Sequence, residues 1–535
     1  MSLESTANEA IAHNLEQFLL VLTISLSVAT LSRTVAFLRK IPYTLLLVIV
    51  GMGLAFLDLR LVNLSPELIL EIFLPPLLFE AAWNIPWAKL KEYWVTIVLF
   101  AVIGVIISVL GVAYPLHIFA NLPLSIAFLL GAALAATDPV SVIALFKELG
   151  ASKKLTILME GESLFNDGVA VVAFVLLVGI PLGVDTFSVP VTIARFCTFV
   201  GIGIGVGCVI GFGISYLTQR FDLPFVEQSL TLVSAYGTYL VTEKLGGSGV
   251  IGVVIVGIIL GNLGSRIGMS PRTRLVVSEF WEFIAFFVNS IIFLLIGDQT
   301  RFESLGSHLT GILIAIAAMV VSRLFSIFGL GAISNLITGN NINFKERTVL
   351  WWGGLRGSVS IALALSVPTA IPYRQEIIDV VFGVVLFTLL VQGLSIQWLL
   401  NALNLIGDQP IRSEYSALIA RQIALTRVSN YLQQPERFPD IDPEFYRYKK
   451  TLVEGQLKSL RDQLQKLLQE HPQLKDVVAE QFQDTLLDIE ANTYAELIRA
   501  GRLNENLVPL LGEVEEEKEM GDVSYYGNYV FGHLE

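Results

Sequence analysis

Long apolar runs alternate with short polar breaks over the first four hundred residues, and a polar, amphipathic stretch follows. A helix crossing about 30 Å of hydrocarbon needs roughly 20 mostly apolar residues. Stretches of that kind fall near 15–33, 42–57, 67–83, 94–116, 122–146, 155–182, 188–218, 225–243, 248–264, 276–297, 307–335, 346–372 and 376–404. They predict an all-α polytopic membrane protein of about thirteen spans. A short extracytoplasmic N-terminus (1–14) precedes the transmembrane domain (15–406), and an acidic helical cytoplasmic tail (407–535) follows it. In the tail, prolines at 435, 439, 443 and 472 interrupt the chain. Val453, Leu457, Leu460, Leu464 and Leu467 recur there at 4-3-4-3 spacing, the narrow seam of an amphipathic helix. The run is too short to define a coiled coil. It predicts a small helical domain packing on itself or on the membrane part, with a regulatory or dimer-contact role as the alternative.

Composition agrees with the bilayer as solvent. Of 535 residues 54% are hydrophobic and only 15% charged, with a mean hydropathy of +0.68. A soluble domain of that composition would present greasy surface to water. The net charge is -12, but residues 408–535 alone hold 23 acidic and 14 basic residues, so the acidity belongs mainly to the tail. No basic run with interleaved aromatics occurs, which excludes the usual nucleic-acid footprint. Loops after odd-numbered spans carry fourteen Lys and Arg against four after even-numbered ones. By the positive-inside rule the N-terminus lies outside and the tail in the cytoplasm, in a plasma or inner membrane. The first residues are acidic (Glu4, Glu9, Glu16), unlike a cleaved signal peptide. Cys197 and Cys208 share one span, about 16 Å apart along a helix axis, and are expected to be unbridged core residues.

Charge inside hydrocarbon is expensive and marks function. The candidates are Glu80, Asp138, Glu160, Glu162, Asp167, Arg323 and Arg356, with Arg195 and Glu282 nearer span ends. Asp138 lies far into the fifth span, before Pro139, which removes a backbone donor and clashes with the preceding turn. Gly353, Gly354 and Gly357 surround Arg356 in the twelfth span, a second candidate break. Paired broken helices are how secondary transporters build midplane ion sites. No internal repeat is visible in the sequence itself. On a helix Ser163, Asn166 and Asp167 share a face, whereas Glu162 points about 140° away. One face thus offers hard oxygen ligands, and the other offers Glu162 to a buried arginine. Desolvation disfavours a charged carboxylate, so such a group can hold a proton near neutral pH and release it when a cation arrives. A site that binds either ion, never both, needs only alternating access to exchange them. Glu80 sits near the end of its span, where it either joins the site or snorkels. Arg323 needs a carboxylate that the sequence does not name, and Asn289 reads as a helix-bridging amide. The five histidines show no metal-ligand spacing.

Thr137-Asp138-Pro139, Gly161-Glu162-Ser163-Leu164-Phe165-Asn166-Asp167-Gly168 and Gly354-Leu355-Arg356-Gly357 resemble the signatures of the cation/proton antiporter-1 family. That family contains the prokaryotic NhaP proteins and the animal and plant Na+/H+ exchangers. The likeness covers roughly residues 15–404. It implies an NhaA-like inverted-repeat fold, with a dimerisation part and a six-helix core holding two crossed, discontinuous helices at spans 5 and 12. It implies Na+ exchange for H+, with Li+ or K+ as possible substitutes and no cofactor. Asp167 would be the principal carboxylate, with Asp138, Ser163 and the Thr137 carbonyl completing the Na+ site and Glu80 approaching through water. Glu162 would pair with Arg356, Asn166 followed by Asp167 goes with electroneutral exchange, and the protein would be a homodimer. Such a protein serves pH homeostasis and salt tolerance.

Two other classes fit the residues less well. An intramembrane aspartyl protease also uses two aspartates, but its Tyr-Asp, Gly-x-Gly-Asp and Pro-Ala-Leu motifs are missing from the sequence. A channel would need a filter loop. A K+/H+ antiporter or a proton-coupled solute symporter of the same fold remains the alternative.

Overall fold

The computed structural model describes residues 3–471 except 36–37, 39–40, 58–64, 185–187, 219–222, 266–268, 270, 340, 406–408 and 433–441, and beyond 471 only residues 486, 489, 490 and 493. The acidic run Glu513–Glu519 lies outside the described residues. All regular structure among the described residues is helical, and the chain forms two units, Met1–Leu405 and Ile406–Glu535.

The first unit runs through α1 (Leu3–Thr34), α2 (Tyr43–Phe56), α3 (Leu74–Asn84, entered through a π-helical stretch, Leu68–Phe73) and α4 (Trp87–Phe119). Next come α5 (Leu124–Ala133), α6 (Val140–Leu149), α7 (Lys153–Val178), α8 (Val189–Thr218), α9 (Pro224–Lys244), α10 (Gly249–Ile259) and α11 (Pro271–Asp298). It closes with α12 (Phe302–Ser307), α13 (Leu309–Thr338), α14 (Phe344–Trp352), α15 (Ser358–Leu365) and α16 (Arg374–Ala402). Among the described residues, the long apolar sequences of α4, α7, α8, α11, α13 and α16 make six helices long and apolar enough to cross a membrane.

Two apolar stretches are not continuous. Leu134–Pro139 separates α5 from α6, and Gly353–Gly357 separates α14 from α15. The missing amide of Pro139 accounts for the first break, and three glycines in five residues weaken the second. Around these breaks the helices sort into two sets. In one, α2, α3, α8, α9, α10 and α11 pack on one another, with α1 against α2 and α11. In the other, α4, α5, α7, α13 and α16 gather around α14 and α15. Helix α7 stands between the sets, against α4 and α5 on one side and α3, α8 and α10 on the other.

Helix α8 corrects one expectation from the sequence. Its buried positions are Gly203, Gly207, Gly211, Ser215 and Thr218, a small-residue stripe that lets its backbone approach α10. The bulky side chains therefore point away from the protein, and only 17% of its most apolar window is buried. Cys197 is exposed and Cys208 half-buried on that outward surface, both free, rather than in the core.

The second unit is an antiparallel hairpin of α17 (Gln409–Tyr431) and α18 (Pro443–Glu470). Asp442 caps α18, accepting from the Glu444 amide, and Pro443 occupies the first turn, where its absent N–H is not missed. The seam of α18 is buried from Val453 to Leu467. Its Leu460, Leu464 and Leu467 cluster with Tyr415 and Leu418 of α17.

Candidate ion-binding site

The two interrupted segments meet. The Asp138 amide donates to the Leu355 carbonyl at 2.9 Å. Arg356 Nη1 donates back to the carbonyls of Ala135 and Ala136 at 3.1 and 3.2 Å, and Ser360 Oγ reaches the Ala136 carbonyl at 3.4 Å. In hydrocarbon each unpaired backbone group costs several kcal/mol, so two broken helices satisfy each other best by lying together.

Each half-helix end also meets a charge of the correct sign. The Asp138 carboxyl accepts from the amides of Val140 and Ser358, at the N-terminal ends of α6 and α15. Arg356 covers the carbonyls just past the end of α5. Arg323, from the middle of α13, donates to the carbonyls of Leu350 and Trp351 at the end of α14. One carboxylate and two guanidiniums thus neutralise four helix ends.

Glycine makes two of these contacts possible. A Cβ on Gly357 would fall on the Asp138 carboxyl, and a Cβ on Gly354 would fall on the Arg323 guanidinium. Gly357→Ala is therefore expected to push Asp138 off the Ser358 amide. A misplacement of about 1 Å can cost roughly a hundredfold in function, so ion-driven transport in vesicles should fall by at least about tenfold. Wild-type rates in that variant would count against so tight a fit.

Helix α7 supplies the rest of the site from its buried face. Ser163 Oγ donates to the Thr137 carbonyl at 2.5 Å, and Asn166 Nδ2 donates to Thr137 Oγ1 at 2.9 Å. The Thr137 amide faces the Asp167 carboxyl. Thr137, Asp138, Ser163, Asn166 and Asp167 are therefore one cluster, in which Asp167 is 7% exposed and Asn166 2%. Asp167 Oδ1 and Asn166 Oδ1 are buried with no hydrogen-bond partner among the described residues. Two bare oxygens at such depth are costly as they stand, and oxygens of this kind are the donor type that hard cations take. Among the described residues, no three His, Cys, Asp or Glu side chains gather as a metal centre. The donors are a mixed carboxylate, amide, hydroxyl and carbonyl set, chemistry suited to a small alkali ion.

The expected pairing of Glu162 with Arg356 is corrected. Glu162 makes a two-pronged bridge with Arg323, Oε1 to Nη1 at 2.8 Å and Oε2 to Nη2 at 3.0 Å. Both residues are buried. Arg323 reaches Glu162 from α13, whereas Arg356 is engaged by the carbonyls of Ala135 and Ala136. Arg356 Nε and Nη2 are buried without a hydrogen-bond partner among the described residues, on a residue completely removed from the surface.

Two other candidates lie on α3 and α11. Glu80 accepts from Asn84 on its own helix at 2.6 Å and is half-buried. Asn289 is buried in α11. The sequence reading missed Thr388, whose hydroxyl accepts from the Arg356 amide at 3.0 Å and so holds the second interruption against α16. It also missed Ser358 and Ser360. The available signal was weak: a hydroxyl in an apolar helix more often bonds its own backbone.

Comparisons with known proteins bear on the family and the fold of the chain. The family described as sodium/hydrogen exchanger, transmembrane, matches residues 22–402. The chain is 67% identical over 521 residues to the low-affinity Na+/H+ antiporter NhaS1 of Synechocystis sp., across 96% of this chain and 99% of that protein. It is 64% identical over 521 residues to the Na+/H+ antiporter ApNhaP of Aphanothece halophytica, across 97% of this chain and 100% of that protein. Among solved structures it resembles the sodium proton antiporter MjNhaP1 of Methanocaldococcus jannaschii, with a TM-score of 0.61 and 22% identity, over 74% of this chain and 100% of that one. At that identity the likeness speaks for the fold alone.

Proposed function

The chain belongs to the transmembrane sodium/hydrogen exchanger family, and on that premise we propose that it exchanges Na+ for H+ across a membrane at the Asp167 cluster. The observation that carries the assignment to this cluster is the pair of bare, buried oxygens on Asp167 and Asn166 beside the Thr137 carbonyl and the Ser163 hydroxyl. A Na+ ion entering there loses water and gains Asp167 Oδ1, Asn166 Oδ1, Ser163 Oγ and the Thr137 carbonyl, with Asp138 supplying negative charge behind them. A proton arriving at Asp167 removes the charge that holds the cation, so each ion expels the other. Alternating access then links the two fluxes. Asp138 serves as much to bind two helix ends as to bind the ion, and Glu80 serves as an outlying carboxylate on the approach.

The finer reading rests on the same family. About thirteen spans, two of them crossed and discontinuous, form an inverted-repeat fold in the cell membrane. The N-terminus lies outside, the helical tail lies in the cytoplasm, and two copies associate. Only Asp167 changes its proton occupancy, so one cation moves against one proton and no net charge crosses.

Everted vesicles carrying a pH-sensitive dye test both levels. After acidification, NaCl should collapse the gradient and sugars or amino acids should not; no response to Na+ ends the proposal. An imposed potential with K+ and valinomycin should leave the rate unchanged. A rate that follows the voltage rules out one-for-one exchange.

A further inference from the structure

We infer that the contact between Gly168 and Ile251 is a steric detent, in which bulk at either residue sets the turnover of transport and leaves ion affinity alone. The inference rests on the alternating-access reading, because it concerns the surface across which the ion-binding helix moves.

Gly168 follows Asp167 in α7 and points about 100° round the helix from it, towards α10 instead of the ion. A Cβ at Gly168 would lie 2.7 Å from Ile251 Cγ1, 3.5 Å from its Cδ1 and 3.6 Å from Val250 Cγ1. The first of these distances is far inside van der Waals contact. Leu164 and Val172 lie one turn to either side of Gly168 on the same face, and both are buried. Gly168 is therefore a notch between two bulky neighbours, and Ile251 is the knob that fills it.

The knob cannot yield. On its other side Ile251 abuts Gly203 of α8, where a Cβ would lie 3.2 Å from both Ile251 Cβ and Cγ2. Ile251 is β-branched, and in a helix its χ1 has essentially one rotamer. The start of α10 is tied to α8, because the Ser248 amide donates to the Phe199 carbonyl at 3.0 Å and Ser248 caps α10. Ile251 thus stays with the α8–α10 set, whereas Gly168 moves with the set that carries the ion. If the sets shift relative to one another, Ile251 must leave the notch and return to it in every cycle.

Asp167 faces a different way, so filling the notch alters the seam and not the ligands. In purified protein in liposomes, Gly168→Ala should lower maximal turnover by about tenfold or more, because the overpacked contact must be re-entered in every cycle and its steric penalty adds to the barrier. Half-saturation by Na+ should stay within about twofold, and the Na+-dependent rise in thermal midpoint should persist. Truncating the knob as well, in Gly168→Ala with Ile251→Ala, should restore turnover to within about threefold of wild type. Ile251→Phe adds bulk from the other side, leaves the α7 motif intact, and should slow transport in the same way. It provides the measurement if Gly168→Ala fails to assemble. Wild-type turnover in Gly168→Ala or Ile251→Phe overturns the inference. So does a double variant as slow as Gly168→Ala, or a loss of Na+ affinity that tracks the loss of rate. Wild-type protein that fails to exchange at all would instead remove the functional reading beneath it.

Discussion

Asp167→Asn should reduce Na+-driven collapse of a pH gradient to background while the protein still assembles as a monodisperse species in detergent. The substitution keeps the shape of the side chain and retains an oxygen for the Thr137 amide. What it removes is a group that can be anionic or protonated. The remaining amide cannot take up a proton at any accessible pH, and as a neutral ligand it holds Na+ far more weakly inside a low-dielectric site. Both halves of the exchange therefore fail together. Na+ should also cease to raise the thermal midpoint, since a ligand stabilises a fold only in proportion to its binding. Retained Na+-driven dye response in this variant would place the exchanging carboxyl elsewhere.

Removing Arg323 should damage the fold before it damages affinity. The bridge to Glu162 is two-pronged and buried, and Arg323 also satisfies the carbonyls of Leu350 and Trp351 where α14 stops. Breaking such a pair from one side leaves an uncompensated buried charge, at about 3–5 kcal/mol, and Arg323→Ala additionally exposes two carbonyls to hydrocarbon. Yield of folded protein and thermal midpoint in detergent should both collapse. Replacing the two partners together, Glu162→Gln with Arg323→Gln, removes both charges and should recover much of the loss. The same double change built with Arg356 in place of Arg323 should recover nothing, because Arg356 bonds to backbone carbonyls and makes no direct bridge to Glu162. An Arg323→Ala protein as stable as wild type would show the pair to be ornamental.

The legible part of this protein was its local chemistry. Pro139 could not continue a helix, whatever surrounded it. The four-residue spacing of Ser163 and Asp167 put both on one face, and the offset of Glu162 put it on another. The 4-3-4-3 run from Val453 to Leu467 had to bury its seam against something. Each inference follows from covalent geometry or helical period, which the order of residues specifies directly.

Partners across the fold were not legible. Two arginines, Arg323 and Arg356, lay in apolar stretches more than a hundred and fifty residues beyond Glu162, and nothing local distinguished them. The choice was made by the reach of Arg323 from α13 to Glu162, and by Gly354, whose missing side chain leaves room for the Arg323 guanidinium. Arg356 was already engaged by carbonyls that a break elsewhere in the chain had freed. The cysteines of α8 were misread for a related reason: apolar residues facing lipid and apolar residues facing protein look alike in sequence, because hydrocarbon and protein interior solvate them equally well. Thr388 and the notch at Gly168 likewise acquire meaning only through what stands opposite them. The order of residues determined which groups must be satisfied; the tertiary structure decided which groups satisfy them, because burial, charge pairing and steric fit depend on atoms brought together from distant parts of the chain.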